Sequence, residues 1–363
     1  MSPDARIVAT YRLRVAEAEV EERALALATE QSVEMPLTAI GDARVLSEIV
    51  ARVEQVRPAG DAFEADIGIA PATTGPEAGQ LMNMLFGNCS LQPEVELVRV
   101  AFPGDYAKGF GGPRFGIAGW REATGAQGRP LTCTALKPQG SSIEHLAHLA
   151  HTFALAGLDV IKDDHGLANQ AFTPFAERVP AVQRAVDAAN RASGGRTIYA
   201  PTFSGGPGSL ARQAAIARDC GVRAALVSPM LVGIPAFVEL VATLGVPVLA
   251  HPALGGAARI APAVLFGQLF RLFGADATIF PNHGGRFSYS RATCLGIADA
   301  ARAPWASIAP ALPVPAGGMS VGRVAEMRAD YGTDCMLLIG GGLLSAGSAL
   351  LERSREFVKA VGA

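Results

Sequence analysis

From about residue 130 onward the chain repeats one pattern: a short β-branched or apolar run ending in Gly, Pro or a polar residue, then an Ala/Leu/Arg-rich amphipathic stretch. The pattern predicts strands at Leu131–Pro138, Val160–Asp164, Thr197–Phe203, Ala224–Pro229, Pro247–Pro252, Ala277–Asn282, Leu312–Pro315 and Cys335–Gly340. Helices are expected at about 141–156, 174–193, 208–219, 235–244, 262–273, 288–301, 320–330 and 346–361. Eight strand-then-helix units define a (β/α)8 TIM barrel. A doubly wound open sheet is the alternative, but it is expected to carry a nucleotide fingerprint after its first strand. The first strand here ends in Lys137-Pro138-Gln139-Gly140, which is not one. Residues 1–129 read differently, as a small α+β domain of ferredoxin-like kind ahead of a barrel at 130–363. Its strands are expected at Arg6–Leu13, Ile49–Val56, Ala62–Ile69 and Glu94–Phe102, and its helices at Ala16–Ala28 and Glu77–Phe86.

Half the residues are apolar and 18% are charged, so a large core can form. Net charge is −2, which gives no reason to expect nucleic acid or an anionic membrane as partner. No window approaches 18 uninterrupted apolar residues and the N-terminus has no signal-peptide layout, so a cytoplasmic location is expected. The five cysteines are scattered without CxxC spacing, which suits reduced thiols; Cys133 and Cys335 fall in strand-like runs and belong to the core.

Of 31 basic residues only four are lysines, and two of them, Lys137 and Lys162, end predicted strands. Lysine can lose its proton when buried and act as base or nucleophile, whereas arginine cannot. Lys162-Asp163-Asp164-His165 therefore reads as chemistry, with a strand-capping ion pair as the bland alternative. Barrel function collects at the C-terminal ends of the strands. Those ends carry Lys137, then Lys162, Asp164 and His165, then His251, then Asn282 and His283. The last two carry Gly317-Gly318 and Gly340-Gly341-Gly342, where backbone N–H groups could hold phosphate, or which could be plain tight turns. His145, His148 and His151 recur on one helix face and are expected to be solvated or helix-packing.

These residues resemble the RuBisCO large-chain family. GRPLTCTALKPQG, within Gly125–Ser141, is similar to its Lys-Pro-Lys segment, and GLDVIKDDHGLANQAF (Gly157–Phe172) to its metal-site segment. FPGDYAKGFGGPRFGI (Phe102–Ile117) resembles its inter-domain segment, and LPVPAGGMS and LLIGGG its phosphate loops. The chain is similar to the shorter RuBisCO-like proteins, which do not fix carbon. It implies that Lys162 becomes a carbamate by adding CO2, and that the carbamate and Asp164 ligate one Mg2+, with Mn2+ as an alternative. Lys137 would be the enolising base and His251 would lie near metal and substrate. Gly317, Gly318, Gly340 and Gly341 would contact phosphate. Glu30 and Asn88 would complete the neighbouring subunit's site in a homodimer, which could assemble further.

Departures from the family pattern narrow the activity. His165 stands where the third metal ligand is Glu. The loop Gly284-Gly285-Arg286-Phe287-Ser288 lacks the lysine that stabilises a carboxylated intermediate, so carboxylation is not expected. Pro252 replaces a phosphate arginine, which favours a monophosphate. Ala316 replaces a substrate-binding serine and Gln139 the second lysine. Either Asn282 or His283 faces the site. What remains is a metal, a lysine base and one phosphate clamp, a set suited to enolisation. The leading expectation is isomerisation of a ketose monophosphate, 5-methylthioribulose 1-phosphate or a relative, in methionine/sulfur salvage. A 2,3-diketo-5-methylthiopentyl 1-phosphate enolase, a decarboxylase of a 3-oxo sugar-acid phosphate and a non-catalytic dimeric scaffold are the alternatives.

Overall fold

The computed structural model describes residues 5–305 and 307–362. The chain separates into two compact units. One holds the residues up to Gly112, together with Leu254–Leu265 and a short piece at Ile308; the other holds the rest.

The first unit runs β1 (Ile7–Leu13), α1 (Val20–Glu30), β2 (Arg52–Ala59), β3 (Ala62–Ile69), α2 (Ala78–Phe86) and β4 (Val95–Ala101). The strands form one antiparallel sheet in the order β2-β3-β1-β4, the ferredoxin-like arrangement. Two expectations shift. The stretch from Ala16 begins as a 3₁₀ turn at Glu17–Glu19 before α1 proper. The strand expected from Ile49 starts at Arg52, because Val45–Ile49 forms a π turn. The Arg6 and Arg52 guanidinium groups donate to the Ser47 carbonyl at 3.3 and 2.7 Å, and Arg6 donates to the Val50 carbonyl at 3.3 Å. Those carbonyls are thereby satisfied without a strand partner.

The second unit opens with α3 (Gly116–Thr124) and continues β5 (Leu131–Leu136), α4 (Ile143–Leu155), β6 (Val160–Asp163), α5 (Phe175–Ser193), β7 (Ile198–Ala200), β8 (Thr202–Phe203) and α6 (Pro207–Asp219). It goes on through β9 (Ala225–Val227), α7 (Pro229–Val232), α8 (Ile234–Leu244), β10 (Val248–Ala250), α9 (Phe270–Leu272), β11 (Ala277–Pro281) and α10 (Arg291–Arg302). β12 (Leu312–Ala316), α11 (Val324–Tyr331), β13 (Met336–Leu338), α12 (Gly341–Leu344) and α13 (Leu350–Gly362) complete it.

All strand pairs in this unit are parallel. They run β13-β5-β6-β7 and β8-β9-β10-β11-β12, and β12 lies beside β13 to close the ring. The strand expected at Thr197–Phe203 is split at Pro201, which has no N–H to donate; its carbonyl still accepts from Leu226 N at 2.9 Å. β12 shows the same physics. Leu312 N donates to Asp276 O at 2.9 Å on the β11 side, so Pro313 and Pro315 present their donor-less nitrogens to β13. That edge closes by packing rather than by a hydrogen-bond ladder. The helix expected at 262–273 is a π turn over Ala263–Leu269 followed by the short α9.

Inside the ring lie Leu131, Cys133, Val160, Ile198, Leu226, Leu249, Ala277, Ile279, Leu312, Val314, Met336 and Leu338. Trp120 of α3 packs against this core. Buried Asp276 accepts the Phe115 and Gly116 N–H groups, each at 2.7 Å, which fixes the start of α3. Cys133 and Cys335 are buried. No helix among the described residues is long and apolar enough to cross a membrane.

Candidate active site

Strand alternation selects the side chains that meet at the C-terminal rim. On β5, Leu131 and Cys133 face inward, so Lys137 continues that face just past the strand; on β6, Val160 is followed by Lys162. On β10, Leu249 is followed by His251, and on β13, Leu338 is followed by Gly340. A Cβ on Gly340 would lie 3.8 Å from both Ala135 Cβ and Lys137 Cε, so the ends of β13 and β5 adjoin.

Lys162 is buried, and its Nζ donates to the Asp163 carbonyl at 3.0 Å. Burial drives its pKa down to about 8, so the neutral amine is accessible near neutrality. Lys137 is half-buried and its ammonium pairs with Asp164. Burial first, then the Arg286 guanidinium, lowers its pKa. The other Asp164 oxygen lies 2.8 Å from His165 Nδ1 and accepts Gly166 N–H at 3.2 Å.

The His165 and His251 rings stack with centroids 4.2 Å apart and planes at 11°. Burial, with Lys162 next in effect, lowers the pKa of both and pushes His251 far below the ordinary value. His251 is thus a neutral ring. Its Nδ1 accepts the Ala253 N–H at 3.2 Å, which leaves the proton on Nε2.

Asp163 points the other way. It is fully buried behind the barrel wall, where Oδ2 accepts from Arg178 Nε at 3.2 Å and Thr202 N at 3.1 Å, and Oδ1 accepts from Tyr199 OH at 2.7 Å. Arg178 also donates to the carbonyls of Leu167, Ala168 and Thr173. One buried ion pair therefore fixes the loop that carries His165. Sequence reasoning missed Arg178 because it sits in α5, 15 residues beyond Asp163.

At the end of β11, Ile279 faces inward, so Asn282 falls on the outer face. Asn282 is buried there, donating to Met319 Sδ at 3.1 Å and accepting from Tyr331 OH. His283 turns to α11, with Nε2 2.8 Å from Asp330 and Nδ1 3.8 Å from Glu326. The ligand atoms of His283, Glu326 and Asp330 lie within 4.8 Å of one another, the spacing of a metal site. Both carboxylates are already claimed, Glu326 by Arg323 at 2.7 and 2.9 Å and Asp330 by Arg291 at 2.6 and 2.9 Å. The cluster is a salt-bridge network that ties the end of β11 to α11.

Gly317 and Gly318 adopt φ of +88° and +90°, a region that favours glycine. Gly340 leads into α12, of which Gly341 is the first residue; a Cβ on Gly341 would meet nothing within 4 Å. In the first unit, Glu30 at the end of α1 accepts a 2.9 Å hydrogen bond from Asn88 Nδ2. Asp164 and His165 place an oxygen and a nitrogen donor 2.8 Å apart, on the rim that holds a lysine readily made neutral. That donor set fits a divalent cation.

The inner face of a closed parallel barrel thus ends in two lysines and a neutral histidine. The family model "Ribulose bisphosphate carboxylase large chain, catalytic domain" matches residues 116–256. A Rubisco-like protein from Rhodopseudomonas palustris has a crystal structure that superimposes with a TM-score of 0.93 at 52% identity, over 99% of this chain and 98% of that one. The 5-methylthioribulose-1-phosphate isomerase of Rhodospirillum rubrum is 52% identical over 359 residues, 98% of this chain and 96% of its own length. A 2,3-diketo-5-methylthiopentyl-1-phosphate enolase from Geobacillus thermodenitrificans is 33% identical over 310 residues, 83% of this chain and 72% of its own. The chain belongs to the RuBisCO large-chain family, among its RuBisCO-like proteins.

Proposed function

We propose that the protein isomerises 5-methylthioribulose 1-phosphate, serving methionine/sulfur salvage. The 52% identity to the Rhodospirillum rubrum isomerase, over nearly the full length of both chains, carries this reading. Identity to the enolase is 33%.

The rim supports the chemistry. Lys137 removes a proton from the carbon next to the substrate carbonyl. It can do so only as the free amine and released from Asp164, and its lowered pKa helps on the first count. The proton returns at a second carbon, the carbonyl moves, and nothing is gained or lost overall. His251 faces the interior with its proton on Nε2, so it donates a hydrogen bond to a substrate oxygen or delivers that proton. His283 is given a positioning role, since both ring nitrogens face the carboxylates of α11.

Asp164, His165 and a carbamate on Lys162 would hold Mg2+, or Mn2+ since imidazole suits the softer ion, and the bound cation would polarise the substrate carbonyl. Gly317, Gly318, Gly340 and Gly341 would receive the phosphate. Glu30 and Asn88 would complete the site of a second copy in a homodimer. A small phosphorylated substrate, no nucleic acid and a cytoplasmic setting complete the reading.

The test is phosphorus and proton NMR of the protein incubated with 5-methylthioribulose 1-phosphate, Mg2+ and bicarbonate. A new ketose phosphate is expected. Turnover of 2,3-diketo-5-methylthiopentyl 1-phosphate alone would replace the isomerase by the enolase, and CO2 release from a 3-oxo sugar-acid phosphate would make the protein a lyase.

A further inference from the structure

The loop after β11 and the loop after β12 are built into each other. Arg286 N donates to Gly317 O at 2.9 Å. A Cβ on Gly285 would lie 2.0 Å from Gly317 O, and a Cβ on Gly318 would lie 2.9 Å from Arg286 N and 3.0 Å from Arg286 Cγ. Only glycine at both positions permits this approach. The Phe287 ring in turn lies against Gly317, 3.0 Å from where its Cβ would be, and the Arg286 guanidinium carbon sits 5.3 Å from that ring's centre. The phosphate loop thus dictates where Arg286 projects.

Three cations around it are neutralised. Arg323 is held by Glu326, Arg291 by Asp330, and Lys137 by Asp164. The Arg286 guanidinium has neither a carboxylate nor a hydrogen-bond acceptor among the described residues, and it lies over the Phe287 ring. It is exposed, and its Cγ abuts the position a Gly318 Cβ would take, so it stands beside the Gly317–Gly318 loop. A dianionic phosphate held by backbone alone would lack a counter-charge, and a planar guanidinium matches phosphate oxygens in pairs.

We propose that Arg286 supplies the side-chain charge that binds the substrate phosphate over the Gly317–Gly318 loop. Its role is to position and anchor the phosphate end, away from the reacting carbons. The inference rests on the isomerase reading for the identity of the substrate, but not for the presence of an anion site.

Arg286→Met and Arg286→Lys are compared with the unaltered enzyme. One readout is steady-state turnover of 5-methylthioribulose 1-phosphate; the other is calorimetric titration with inorganic phosphate. A lost charge-assisted hydrogen bond is worth about tenfold or more in affinity. Arg286→Met is expected to raise KM about tenfold or more, change kcat less than about threefold, and weaken inorganic phosphate by the same factor as KM. Arg286→Lys is expected to recover part of each loss. An unchanged KM and phosphate affinity in Arg286→Met overturns the proposal, as does a fall in kcat with KM intact, which would place the guanidinium at the reacting carbons. If the unaltered enzyme turns nothing over, the isomerase reading fails by itself; the phosphate titration then decides Arg286, weaker binding by Arg286→Met supporting the proposal and equal binding overturning it.

Discussion

At the scale of the residue, one strand separates two carboxylates by direction. Asp163 and Asp164 are neighbours, but alternation sends Asp163 to Arg178 and leaves Asp164 on the rim with Lys137 and His165. Their substitutions should therefore fail differently. Asp163→Ala strands the Arg178 guanidinium in a fully buried place, and losing one partner of such a pair costs roughly 3–5 kcal/mol. Chemical denaturation should show that loss; a change below about 1 kcal/mol would mean Arg178 finds other partners. Asp164→Asn should leave stability nearly intact and remove activity, read by the same denaturation series together with NMR turnover. For Lys162 the prediction is a carbamate signal in carbon-13 NMR with labelled bicarbonate, lost in Lys162→Arg, because arginine keeps its proton. That Lys137, Lys162 and His251 stand at strand ends is legible in the sequence, because an apolar run precedes each of them. Asn282 and His283 were not separable, because that counting ends with the strand, and the turn of His283 to α11 depends on Asp330, 47 residues away.

At the scale of the element, glycine spacing within single loops predicted anion binding but not the locking of one loop into another. Gly285 and Gly317 belong to separate βα units, and the pairing of β11 with β12 brings them into contact. Gly285→Ala would push a methyl group onto Gly317 O and must displace both loops. It should weaken inorganic phosphate binding by about tenfold, while the melting temperature stays within a few degrees because the loops are at the surface. Unaltered phosphate binding would show that the interlock does not shape the site. The eight barrel units were readable from their period, and β12 was predicted despite two prolines. The interruption at Pro201 and the π turn at Ala263–Leu269 were not, since both depend on which carbonyl finds which donor after folding. The helix at Gly116–Thr124 was missed because the Gly/Pro-rich run before it reads as linker, and only the buried Asp276 carboxylate explains its start.

At the scale of the whole molecule, the two units should respond differently to acid. On the sheet of the first unit, Glu64 and Asp66 are partly buried, which by itself raises their pKa. Arg99 and Arg57 at Glu64, and Arg57 and Thr10 at Asp66, outweigh burial and hold both carboxyls below their ordinary values. A lowered folded pKa means stability that is present above the unfolded value near 4 and is lost as pH falls through the folded values. Melting of the first unit should therefore drop steeply between about pH 5 and pH 2, and Arg57→Met should flatten that dependence. An equally steep slope in the variant would contradict the assignment. The proposed homodimer with shared sites makes a further prediction: Glu30→Gln and Lys137→Met, each expected to be inactive, should regain part of the activity when mixed and refolded together, and no recovery would confine each site to one chain.

On the proposed function, Lys137 moves a proton between two carbons of a ketose phosphate. The most direct measurement follows deuterium at each substrate carbon by NMR, in D2O with 5-methylthioribulose 1-phosphate, Mg2+ and bicarbonate, for the unaltered protein beside Lys137→Met. A new ketose phosphate is expected, with exchange or transfer at the carbon next to the carbonyl, and neither in the variant. Product formation that survives in Lys137→Met, or no exchange at any carbon in the unaltered protein, would contradict it.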